Sequence, residues 1–449
     1  MKRKLLFLFV SVLVLISTIH AQDYQISFAG TGASTTVDSV KVENLTQCTS
    51  ITISGSDILH LVASVGISEL NSGTGNKIRI YPNPTTDFCL VDFEATTKGK
   101  ATIGLYDIAG KKISQVQEFL TKGYHTYQIS GINNGIYTLK VESEAYYYNS
   151  KIVSINEAHE NTDIKQIETI PNIIIPKGTT KSYESEKAII VMQYNSGDLL
   201  KLTGKSGIFR TVVTLVPTNS QIVTFTFVLC TDADGNNYSV VRIGTQWWMA
   251  ENLNAGTYVP ITSPQVSGTK FCQNYIGEND TTCPMGGLYE WANMMQGSAS
   301  CNGTGAPPND KCDIPVQGLC PTGWHVPSHY EWTTLERNVG SNPGAFPYDV
   351  TTVSILGTDE GGNLKETCTS HWKSPNEGAT NKSGFTALPG GSAWQGVFDD
   401  FTLSGYWWSS TESIPWYSAW VRGLNYSLTT IGRSEYFEES GFNIRCVKD

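Results

Sequence analysis

The first 246 residues contain no tryptophan, although eleven follow, the first at Trp247 and the last at Trp420. A chain divided in this way holds at least two cores of different make-up. The last ~220 residues are enough for a globular domain of their own. Cysteine is nearly as lopsided: eight of the ten lie at or beyond Cys230. Basic charge is scarce, with 31 Lys and Arg against 41 Asp and Glu and a formal charge of -10. That balance excludes nucleic-acid binding by phosphate neutralisation. No basic amphipathic helix is present to meet anionic lipid. After Ile16 no apolar run approaches the ~20 residues of a membrane-spanning helix. The chain also lacks a paired Cys-x-x-Cys, a Gly-rich phosphate loop, a zinc-hydrolase motif and a Ser/His/Asp signature.

What is present begins with a basic head, Lys2, Arg3 and Lys4, then an apolar run from Leu5 to Ile16 and a small-residue exit at Ala21. Residues 1–21 read as a secretory signal peptide. Cleavage after Ala21 starts the mature chain at Gln22 and takes the formal charge from -10 to -13. No cysteine follows the cut, which argues against a lipid anchor there. The expectation is a protein secreted or displayed on the outer cell surface, its export machinery met through the signal peptide. Export permits disulfides. Cys272 and Cys283 bracket one short turn-rich loop, and Cys301 and Cys312 another. Disulfides are the favoured reading of both, and a metal site the lesser one. No cofactor is implied.

The body of the chain alternates like strands. Residues 22–68 hold a set of strands with Gly and Asn turns, and 69–77 form a Ser/Gly/Asn linker. Residues 78–154 hold a second set and 155–187 a polar linker. Residues 188–229 hold a third set, with turns at Tyr194-Asn195-Ser196-Gly197 and Pro217-Thr218-Asn219-Ser220. The first and third sets have three or four strands each, too few to bury two faces alone. Together they reach about seven, which predicts one split sandwich with 78–154 inserted into it.

Three strings in the middle set carry a resemblance: "YPNP" at 81–84, "LYDIAGKK" at 105–112 and "GIYTLKV" at 135–141. They resemble the type IX secretion sorting domain of Bacteroidetes. That implies a small Ig-like β-sandwich over 78–154. In that family the domain closes the chain and is removed; here it is internal, and the expectation is a folded spacer that is not cut.

In residues 230–449, Cys230 to Tyr238 looks at first like a calcium loop. Gly235 is fourth rather than sixth, and Ile243 stands where the twelfth ligand belongs, so a hairpin turn with Gly235 and Asn236 at positive φ is favoured. Two helices are readable. Gly286 to Gln296 carries Leu288, Trp291 and Met295 at helical spacing. Ser328 and Glu331 form a capping box opening a helix that Gly340 ends. Glu290 and Glu331 as acid/base groups, and His325 with His329 as a metal pair, are the less favoured readings.

The strings "TDADGNNYSVVRIGTQWWMAENL", "GGLYEWANMM", "CPTGWHVPSHYEWTTL", "GFTALPGG", "YWWSSTE" and "GFNIRCVKD" resemble the Fibrobacter succinogenes major paralogous domain over 230–449. That family is similar to the formylglycine-generating-enzyme/C-type-lectin-like group, which implies an α+β lectin-like fold. The whole is therefore expected to be multidomain and β-rich, with Ig-like β-sandwich units followed by an α+β C-type-lectin-like domain. The oxidase relatives use a close late cysteine pair; Cys368 and Cys446 are far apart. Sugar-binding calcium motifs are absent. No catalytic or metal-binding residue is assigned. What remains is a binding surface for a glycan or protein ligand, with Trp394, Asp399, Asp400, Trp416 and Tyr417 as its candidates. An enzyme of the formylglycine-generating group is the alternative. Cys320–Cys446 is expected as a third disulfide, with Cys48, Cys89, Cys230 and Cys368 unassigned.

Overall fold

The computed structural model describes residues 23–62, 78–81, 83, 85, 88–143, 145–155, 162–166, 188–273, 283–368 and 371–449. The stretch read as a signal peptide, and all of 69–77 and most of 155–187, read as linkers, lie outside the described residues. The protein is multidomain and β-rich. Two compact units are separable: Gly66–Glu184, and Met1–Val65 with Ser185–Asp449.

The inserted unit is a two-sheet antiparallel sandwich. One sheet runs in the order Tyr147–Ser154, Gly135–Ser143, Gly99–Asp107, Lys112–Leu120; the other runs Asp163–Gln166, Gly123–Ser130, Phe88–Ala95, Ile78–Tyr81. Alternation explains the core. Val91, Phe93, Ile103, Leu105, Leu139 and Val141 all point inward from their strands. The strand Asp163–Gln166 falls inside the stretch read as linker and extends the sandwich past 154. Its one apolar residue, Ile164, is buried in the core. One apolar position is too little pattern to betray a strand.

In the other unit the first and third strand sets pair with each other. A four-stranded sheet has the order Ile189–Gln193, Ile58–Val62, Asp23–Gly32, Gln221–Phe227, so each strand from before the insert lies beside one from after it. Ile58 is in parallel register with Ile189, and Ile26 with Gln221. Parallel neighbours need a long crossover, never a tight turn. The connection between Ile58–Val62 and Ile189–Gln193 is the whole inserted unit, which therefore serves as that crossover.

The opposing sheet has eight strands: Trp324–His325, Val447–Lys448, Gln246–Met249, Ser239–Ile243, Phe209–Leu215, Leu200–Ser206, Ser39–Asn44, Thr49–Ser54. Its far end closes the split sandwich, where Val40, Val42, Leu200 and Leu202 meet Ile26, Leu59 and Phe225. Its near end belongs to the tryptophan-rich region. The boundary expected at residue 230 is thus crossed by one continuous sheet, joined where Arg210, Thr211 and Val212 pair in parallel with Ser239, Val240 and Val241.

The tryptophan-rich region adds the sheet Ser354–Leu356, Ile431–Phe437, Ser418–Asn425, Ser404–Ile414. The first expected helix shrinks to Trp291–Met295. Gly286 sits at φ +81 close to Asn252, and Leu288 and Tyr289 make strand bridges to Phe271 and Phe442 instead. The second helix, His329–Val339, opens on the full capping box of Ser328 and Glu331. Gly340 ends it in extended backbone at φ -125, not in the left-handed region. A side chain there would run into Glu360, so close approach explains the glycine.

Disulfides join Cys272–Cys283, Cys301–Cys312 and Cys320–Cys446. A fourth, Cys48–Cys368, links the N-terminal strands to the C-terminal region. Cys89 and Cys230 are free and buried. Among the described residues no helix is long and apolar enough to cross a membrane.

Candidate functional site

The strand Ser404–Ile414 is the platform. Trp407 and Trp408 are both fully buried, and their indole N–H groups donate to Asn252 Oδ1 (2.9 Å) and the Tyr289 carbonyl (2.8 Å). Trp291 and Trp332 donate to the carbonyls of Ser409 and Trp408 on the same strand. A buried indole N–H usually finds such a partner, and these four do; that of Trp420, on the neighbouring strand, does not. The four bonds fix this strand, and candidate binding residues lie near its two ends.

Near one end is a cavity of about 380 Å³ lined by Trp394, Asp399, Asp400, Tyr406, Tyr436 and Phe437 among others. Trp394 and Asp399 come from the hairpin Ser392–Trp394 with Val397–Asp399. Asp400 follows at φ +59, and Tyr406 donates its hydroxyl to Asp400 Oδ2 at 2.7 Å. Burial, and then Asp400 and Tyr406 in opposing senses, leave the Tyr436 phenol above its ordinary range. Tyr436 and Tyr406 pack edge to face at 5.8 Å.

At the other end is the turn Pro415-Trp416-Tyr417. Trp416 is 92% exposed, in left-handed backbone at φ +64. Its backbone N–H donates to Glu412 Oε1 at 2.8 Å. Tyr417 is 55% exposed. The two ends meet through Phe437, which stacks on Trp394 at 5.2 Å and takes the edge of Tyr417 at 4.9 Å. A ladder Trp394–Phe437–Tyr417 therefore runs along the surface, with Trp416 beyond it.

Of the five sequence candidates, Trp394, Asp399 and Asp400 line the cavity. Trp416 and Tyr417 do not line it, and Tyr417 reaches it through Phe437. Phe437 and Glu438 are not among those candidates. Their signal was two adjacent aromatics, Tyr436 and Phe437, at the end of a strand otherwise alternating from Ile431. Burial and the neighbouring Glu412 push the Glu438 carboxyl up to about 7. One of its oxygens is shut from solvent without a hydrogen-bond partner.

The less favoured sites resolve differently. Asp232 is the hub of a turn: its Oδ1 accepts from the backbone of Asp234 and Asn236, and its Oδ2 from Asn236 Nδ2 and Tyr238. Gly235 is at positive φ (+85) and Asn236 is not, contrary to expectation. His325 and His329 do not converge. His325 is buried between Glu331 (2.9 Å) and Asp449 (2.7 Å). Burial alone would lower its pKa; the two carboxylates outweigh burial and raise it. His329 packs on Trp420 and faces Arg422. Burial, and then Arg422 and Arg433, keep it neutral. Glu331 is occupied by its capping box and by His325. Burial and then Glu439 push the Glu290 carboxyl up. Among the described residues no group of three or more His, Cys, Asp or Glu is placed to hold a metal.

Comparison with known families agrees with this layout. Residues 241–448 match the Fibrobacter succinogenes major domain. The chain carries that domain. Residues 79–156 match the Secretion system C-terminal sorting domain. A protein with this sorting domain is exported, to the cell surface or beyond it. No curated protein and no solved structure matches the chain. The Fibrobacter succinogenes major domain spans the whole aromatic ladder and its cavity.

Proposed function

We propose that this exported protein is a non-enzymatic binding protein that presents the Trp394 cavity and the Trp394–Phe437–Tyr417 ladder to an extracellular glycan or protein ligand. The observation that carries the reading is that ladder: three packed rings at the surface beside a cavity, carried by segments that flank the strand Ser404–Ile414, itself pinned by four indole hydrogen bonds. Rigid aromatics lose little entropy on binding and offer large contact faces. The alternative, an enzyme of the formylglycine-generating group, draws no support from the late cysteines. Cys368 and Cys446 are each taken up in a long-range disulfide. The test is to probe glycan and peptide arrays with residues 22–449 and with its Trp394→Ala variant. Ligands retained by the first and lost by the second support the reading. Retention unchanged by the substitution overturns it.

A further inference from the structure

The ladder has a carboxylate pair at each end. Asp399 and Asp400 stand beside Trp394 in the cavity. Glu412 and Glu438 stand beside the Trp416–Tyr417 turn: Glu412 accepts from the Trp416 N–H, and the Glu438 N–H donates to the Tyr417 carbonyl. None of the residues lining the cavity is basic. Among the described residues no Lys, Arg or His forms an ion pair with any of these four carboxylates. The titratable side chains about Glu438 include Glu412, which acts on it directly, Glu439 beside it, Tyr417, whose carbonyl accepts from the Glu438 N–H, and Glu290, which is coupled to Glu439; none of these is basic. Two acidic pairs joined by rings at the surface, with no base ion-paired to them among the described residues, make a surface complementary to cations. Ring faces attract ammonium and guanidinium groups, and the methylene stems of Lys and Arg cover apolar surface. An anionic ligand is repelled. A neutral sugar would leave both pairs uncompensated.

We infer that the stripe from Trp416 to Asp400 binds an extended basic peptide segment, with Lys or Arg side chains across the rings and their charged heads at Glu412/Glu438 and Asp399/Asp400. This rests on the binding reading above and names its ligand class. Such a ligand favours ionised Glu438, so binding strengthens as pH rises through about 7.

The test is fluorescence anisotropy with residues 22–449 and a labelled peptide of alternating lysine and glycine. An alternating glutamate–glycine peptide and cellohexaose serve as comparisons. The basic peptide binds, more tightly above neutral pH than below it. Trp394→Ala, and the near-isosteric Glu412→Gln/Glu438→Gln double variant, each weaken it by about tenfold, the size of a good cation–π or charge contact. Asp313→Asn, at an exposed acid of the same domain, leaves it unchanged. Basic-peptide binding that ignores these substitutions overturns the inference. Cellohexaose binding that depends on Trp394 also overturns it, and leaves the binding reading standing. If no probe shows Trp394-dependent binding, the ligand class falls, and the arrays decide the binding reading separately.

Discussion

Cys48 and Cys368 are 320 residues apart in the chain and joined by a disulfide, their Cα atoms 5.5 Å apart. Cys48 lies just before the strand Thr49–Ser54, and Cys368 lies in the tryptophan-rich region. The bond ties the segment before the insert to the domain after it. Strand pairing ties them again, through Ile58–Val62 with Ile189–Gln193, Asp23–Gly32 with Gln221–Phe227, and Ser39–Asn44 with Leu200–Ser206.

A chain break in the linker should therefore release nothing. With a protease site placed in 69–77 and cut, the protein should elute as one species. It should run as one band on a denaturing gel without reductant and as two with it. Cys48→Ser should give two bands in both cases. Release of the N-terminal piece from the cut, oxidised protein on the denaturing gel would show that the disulfide is absent.

Glu336 is buried against Arg422 and Arg433, and Arg433 Nη2 lies 2.9 Å from it. Glu336→Gln removes the one carboxylate that, among the described residues, is ion-paired with either buried guanidinium group. Breaking a buried pair from one side costs about 3–5 kcal/mol. Denaturant unfolding should show a loss of that order; a change near zero would contradict the buried network.

His325 sets a pH dependence. Its folded pKa is raised, so its contribution is full below the ordinary histidine value and fades as pH rises through the raised one. Glu438, raised from 4.5 to about 7, acts in the same direction at lower pH. Stability should fall from mildly acidic to mildly alkaline pH, and His325→Gln should fall less. Equal slopes for the two proteins in urea titrations would remove His325 from the account.

Much of this was legible because strand sets leave arithmetic behind. Two sets of three or four strands cannot each bury two faces, and that shortage pointed to their pairing. The shared eight-stranded sheet was not legible, because the contact of Phe209–Leu215 with Ser239–Ile243 is three parallel residue pairs without a local mark. Leu288, Trp291 and Met295 have helical spacing, yet Leu288 is spent on a bridge to Phe271. Spacing alone does not distinguish these outcomes. Trp394, Asp399 and Asp400 stood out in sequence by their composition, whereas Phe437, which joins them to Tyr417, looked like one more strand aromatic.

Trp416 at φ +64 occupies a conformation that favours glycine, at a cost of about 1 kcal/mol. Trp416→Gly should stabilise the fold by about that much while weakening ligand binding, a trade of stability for function. Thermal unfolding and binding on one preparation check it. A destabilised Trp416→Gly protein would mean the ring packs on something it does not touch here.

Hydrogen exchange by mass spectrometry, on residues 22–449 free and saturated with the lysine–glycine peptide, tests the central claim that the aromatic ladder is the binding surface. The account predicts slowed exchange in peptides covering 392–400 and 412–438, and none in 88–143. Protection confined to the inserted unit or to the split sandwich, with the ladder unchanged, would contradict it.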